Sequence, residues 1–132
     1  MKAETVIKSL LDVSVDLTAL VGTRIYLDTR PEADLLPAVV FELISDRPDT
    51  PAFPGTNSEM CTARMQVNCL ARTAESAVAL REAVKAACHL HYGVINGIAV
   101  TACLQDQCGA DSYDALVDIY TKPVDFILRY LR

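Results

Sequence analysis

The sequence predicts an α+β domain: a mainly antiparallel sheet of about five strands, two helices packed on one face, and a long loop in the central hairpin. Three observations carry that expectation. Apolar residues recur at three- and four-residue steps over 3–21 and again after Thr73. Strict alternation marks 59–72, where Cys61, Ala63, Met65, Val67, Cys69 and Ala71 interleave with Thr62, Arg64, Gln66, Asn68, Leu70 and Arg72. Isolated turn signals, Gly22 and Asn96-Gly97 among them, separate the runs.

Residues 3–21 read as one helix, with Ile7, Leu10, Leu11, Leu17 and Val21 on its apolar face. Glu4 suits the positive end of the dipole and Gly22 stands where the helix stops. Residues 24–28 form a short strand, followed by a turn from Thr29 to Leu36. Residues 38–45 form a second strand, with Val39, Phe41 and Leu43 on one face and Val40 and Ile44 on the other. Apolar residues on both faces mean partial cover on both sides.

Asp46 to Ser58 reads as a flexible loop, carrying Pro48, Pro51, the Pro54-Gly55 turn signal and a lone aromatic, Phe53. A two-residue turn would close this hairpin, so the stretch is either a partner-contacting arm or a passive loop. Thr73 N-caps the second helix with Glu75 in its first turn, and Ala77, Leu80, Val84, Ala87, Cys88 and His91 make its stripe, ended by Gly93. Asn96-Gly97 turns into a strand over 98–105, built on Ile98, Val100, Ala102 and Leu104. A polar loop over 106–114 precedes a last strand, 117–131, entered or broken at Pro123, with Val124, Phe126, Leu128 and Tyr130 on one face.

Length and composition set the class. With 132 residues, 52% hydrophobic and 22% charged, the chain predicts a single domain spanning 1–132, large enough for its own core. A net charge of −5 without any Lys/Arg cluster argues against a phosphate-gripping face, and so against DNA binding. No apolar run approaches the roughly 18 residues of a membrane span. The opening Met-Lys-Ala-Glu lacks the uninterrupted apolar core of a signal peptide, which predicts a soluble, unexported chain. Five cysteines make an odd count without a CxxC pair. Cys61 and Cys69 would stand roughly 26 Å apart on an extended strand, beyond disulfide reach. They read as reduced, apolar core residues.

Catalytic signatures are missing. The five glycines stand alone beside turns, which leaves no phosphate cradle, and there is no GxSxG. His89 and His91 fall on successive faces of the second helix. Spacing leaves a thiol nucleophile paired with either histidine open, but Cys61 and Cys69 sit among apolar positions that suppress the thiolate. Asp111 with Asp114, and Asp46 with Asp49, lie in loops where solvated turns are the ordinary explanation. No catalytic, cofactor-binding or metal-ligating residue is expected, and the chain is read as a non-enzyme. Elimination points to assembly or binding.

The order of segments is more specific. A helix ending in Leu17-Thr-Ala-Leu-Val-Gly22 runs into Arg24-Ile25-Tyr26, then Leu36-Pro37-Ala38-Val39-Val40-Phe41, then Arg64-Met65-Gln66-Val67-Asn68-Cys69-Leu70-Ala71. An alanine-rich helix, the Ile95-Asn-Gly97 turn and a terminal Val124-Asp125-Phe126 strand complete it. From about residue 5 to residue 130 this resembles the tail-completion, or tail-terminator, family of long-tailed phages, prophages and gene transfer agents. Members often carry an arginine ahead of the ending, where this chain reads Tyr120-Thr121-Lys122.

The resemblance implies a homohexameric ring on the head-proximal end of the tail tube, stopping polymerisation and offering a surface for head joining. The implied partners are further copies of the chain, the tail tube protein and a head-completion or connector protein. DNA is met only by passage through the lumen, no membrane is involved, and no cofactor is implied. The implied location is the virion tail, reached from the host cytoplasm during assembly. A ring subunit needs edges for its neighbours, and the short strand at 24–28 and the Pro123-containing last strand are expected to supply them. Arg47 and Phe53 in the arm, with Arg64 and Arg72 on the wet strand face, are the candidate protein contacts; a solvated sheet face is the alternative for the last two. Competing functions are a neck or head-closure subunit, a small-molecule-binding α+β domain, and a thiol or metal enzyme.

Overall fold

The computed structural model describes residues 2–29, 36–48 and 60–131. Along the chain run α1 (Lys2–Asp12), α2 (Val15–Val21), β1 (Ile25–Leu27), β2 (Ala38–Pro48), β3 (Met60–Ala71), α3 (Ala74–Cys88), β4 (Gly93–Ile95), β5 (Ile98–Cys108), β6 (Ser112–Asp114) and β7 (Ile119–Leu131). The strands make one seven-stranded sheet in the order β1-β2-β3-β7-β5-β4, with β6 also paired to β7. The sheet curls into a half-barrel. β1 runs parallel to β2, and every other pairing is antiparallel.

One core explains the arrangement. Val6, Ile7 and Leu11 of α1, Leu17 and Val21 of α2, and Leu80 and Val84 of α3 join the alternate β3 residues Cys61 to Cys69 and Val124, Phe126, Leu128 and Tyr130 of β7 in a single buried cluster. On β3 the alternation holds without exception: Cys61 to Ala71 are buried at every second residue and the intervening side chains are part-exposed. Period-two patterning places one face against the helices and leaves the other wet.

Seven strands in a mixed sheet with three helices among the described residues correct the expected five antiparallel strands with two helices. The first helix divides at Ser14, whose extended backbone lets its hydroxyl accept from Leu17 N at 3.3 Å and cap α2. The second helix stops at Cys88, where His89 turns extended and Leu90 takes a positive φ of 64°. His91 is therefore an exposed residue beyond the helix, not part of its stripe. β4 and β6 are three residues each, too short to show a period, and β6 is exposed throughout. The parallel β1–β2 register, Ile25 beside Val39, comes from tertiary packing that local sequence does not encode. β2 and β5 also run further than expected, to Pro48 and Cys108.

β7 is a central strand, which corrects its expected place at an edge. β3 pairs with it from Leu131 to Tyr120, while β6 and then β5 line its other side. Pro123 fits there because its carbonyl points away from β3, accepting from Gly109 N at 3.3 Å. The missing N–H points the same way, into the gap where β6 ends and β5 begins. Among the described residues the path of the sheet ends at β1, as expected, and at β4, while β6 lies off that path and pairs with β7 alone.

Candidate interaction surfaces

The four expected contact residues lie in different settings. Phe53 lies outside the described residues. Arg47 is exposed at the end of β2, opposite Thr62 in the register. Arg64 reaches across three strands, holding Asp106 of β5 at 2.6 Å and Asp125 of β7 at 3.0 Å. The hydrogen bond to Asp106 and that to Asp125 raise the guanidinium's pKa against the opposing effect of burial. Among the described residues Asp125 is the only charged one that is buried, at 6% exposure, and its Oδ1 finds no partner there. Arg64 thus neutralises a carboxylate that the sheet has taken out of water.

Arg72 does something sequence reasoning missed. Its guanidinium donates to the carbonyls of Val117 and Asp118 in the β6–β7 turn, forty-odd residues downstream. Three further contacts fix the same turn. The Tyr113 hydroxyl donates to Asp118 Oδ1 at 2.6 Å, which pushes the phenol pKa up. Asp114 Oδ1 accepts from Leu116 N at 3.0 Å, and the Tyr113 and Tyr120 rings lie 4.5 Å apart. On this braced turn Leu116 is 97% exposed, beside half-exposed Val117 and Tyr113.

A second apolar surface lies along β5. Leu90, His91, Tyr92, Ala102, Cys103 and Leu104 line a groove of about 340 Å³. Tyr92 is 78% exposed and Leu90 65%. Leu90 N donates to Cys103 O at 2.8 Å and Gln105 N donates to His89 Nδ1 at 3.0 Å, which seals this stretch of the β5 edge and fixes the groove wall. Arg129, exposed and without an ion pair to another described residue, stands opposite Ala102 at its side.

Asp111 does not pair with Asp114; it accepts from Lys122 at 2.7 Å and from Arg81 at 3.1 Å, tying the β5–β6 link to β7 and α3. Those cations, Lys122 first, hold its carboxyl below the ordinary range. Asp46 accepts from the buried Tyr130 hydroxyl. Burial pushes the Cys69 and Cys103 thiols up to about 12 and raises the Cys88 thiol as well, so the nucleophilic thiolate is suppressed. Cys61 is buried too, and Cys108 is exposed. No group of three or more His, Cys, Asp or Glu among the described residues is placed to hold a metal ion. No described helix is long and apolar enough to cross a membrane.

Comparison with known proteins gives this architecture a class. A chain of the native gene transfer agent (GTA) virion particle shares the fold, with a TM-score of 0.72 over 96% of this chain and 92% of that one at 16% identity. No curated protein sequence matches. A family profile described as tail completion protein gp17 matches residues 5–129, nearly the whole chain. These define a structural protein of a phage-type virion tail. The chain belongs to the tail completion protein gp17 family.

Proposed function

We propose that this chain closes the head-proximal end of a tail tube as a ring, stops tube polymerisation there, and presents the surface on which the head is joined. The observation that carries the reading is the family match over residues 5–129, which leaves almost none of the chain for another role. The virion-particle chain of the same fold supports it. Two physical features agree. The sheet ends in two different edges, β1 and β4, as a subunit with two different neighbours requires. A net charge of −5, repeated around a ring, makes a lumen that passes DNA without holding its phosphates.

On this reading the chain is no enzyme. Its partners are further copies of itself, the tube protein and a head-completion protein. Inactivating the gene in its phage or prophage and imaging the particles tests the proposal. Overlong or unjoined tails beside DNA-filled heads are expected; normal, joined particles would overturn it.

A further inference from the structure

We propose that the β6–β7 turn of one copy docks into the β5 groove of a second copy, making the head-to-tail contact on which ring growth depends. This deepens the ring reading above and rests on it. The two surfaces match in their apolar character and in charge. Leu116 and Val117 form an apolar knob flanked by Asp114 and Asp118, and the groove of about 340 Å³ offers Leu90, Tyr92 and Leu104 with Arg129 beside it. Asp114 and Asp118 outweigh the Arg72 guanidinium at the base of the apolar tip, so the tip is complementary to an apolar slot with a guanidinium beside it, which favours a second copy over an unrelated partner.

The knob is also prepared. Arg72, Asp114 and the Tyr113–Asp118 hydrogen bond all fix a turn whose central side chain has no role in its own chain's core. Ordering a contact surface before the encounter removes an entropic cost of binding.

Geometry makes the contact intermolecular. Asp114 pairs with Ile119 at one end of β7, and Cys103 pairs with Leu128 near the other. At the rise of a strand those points lie roughly 30 Å apart, so a knob cannot fill its own groove. A contact between two different patches of one chain repeats from copy to copy, and it closes where the rotation allows.

Two exposed substitutions test it: Leu116→Lys, which sets a cation against Arg129, and Tyr92→Asp, which sets a carboxylate against Asp114 and Asp118. At 97% and 78% exposure neither position supports the core, and unchanged melting temperatures would verify that. In sedimentation at millimolar concentration the wild-type chain is expected to self-associate, and each variant to lose at least about thirtyfold in affinity, as for a binding hot spot. An equimolar mixture should form dimers and nothing larger, since one intact knob meets one intact groove. A monomeric wild type, a variant that associates like wild type, or a mixture that stays monomeric would overturn the contact. Any of these leaves the particle phenotype of gene inactivation as it was, whereas normal particles alongside complementing variants would sink the ring reading and spare the contact.

Discussion

Arg64 shows how a residue's pattern position and its role can diverge. It alternates outward on β3 and reads as a free contact, yet its guanidinium is divided between Asp106 and Asp125. Its removal leaves Asp125 charged and buried. Arg64→Ala should therefore cost about 2 kcal/mol in urea unfolding, the penalty of orphaning a charged group. Adding Asp125→Asn should return a large part of that loss; a double variant no more stable than the single one would show that the ion pair is not the cause. Asp111 contributes a pH dependence on the acid side. Its folded carboxyl lies below the ordinary value of 3.8, so its stabilisation is complete above that value and is lost as pH falls through the folded one. Asp111→Asn should lower the urea midpoint slightly at neutral pH, and the two curves should converge in strong acid. A gap that persists there would assign the effect to packing.

Elements were legible in the sequence to the extent that they bury a periodic face. β3 alternates over its whole length and lies where the pattern puts it, and α3 begins where expected, at its Thr73 cap 3.1 Å from Ser76 N. Ser14 was equally visible as a capping residue, but the apolar steps on either side of it joined α1 and α2 into one helix. β6 was invisible because Ser112, Tyr113 and Asp114 face solvent and owe their strand form to β7. Its braced turn was missed for the same reason: Leu116 reads as one apolar residue in a polar stretch, and the Arg72 that fixes the turn lies far away in sequence. Pro123 read as an edge signal because edge strands are the usual place for it, and the β5–β6 junction supplies the same freedom inside the sheet. That junction is tight. A Cβ on Gly109 would come within 2.8 Å of Pro123 Cγ, and the proline ring has little room to yield. Gly109→Ala should cost about 1–3 kcal/mol, as overpacking does, with the melting temperature as the readout. Wild-type stability would mean that the junction relaxes freely.

For the whole molecule, the sheet is a rigid frame and the sequence between β2 and β3 is the part that the frame does not explain. β2 and β3 pair from Ala38–Leu70 to Pro48–Cys61, so the hairpin is held by strand pairing up to Pro48. Ten register pairs and a shared core do not need residues 49–59 to hold the two strands together. The stretch nevertheless carries Pro51, Phe53 and Pro54-Gly55, an aromatic among chain-stiffening residues, where a minimal turn would be polar and short. Arg47, exposed at the last rung but one, stands at its base. We propose that this arm contacts the tube or a neighbouring subunit. Deleting residues 48–56 should then leave circular dichroism unchanged and lower the melting temperature by no more than a few degrees, while abolishing tail joining when the variant replaces the wild-type gene. Replacing Phe53 alone with serine should produce a weaker form of the same defect, because one aromatic anchor commonly dominates a small interface. Normal joined particles from the deletion variant would reduce the arm to a connection and leave the β6–β7 turn and the sheet edges as the surfaces on which assembly depends.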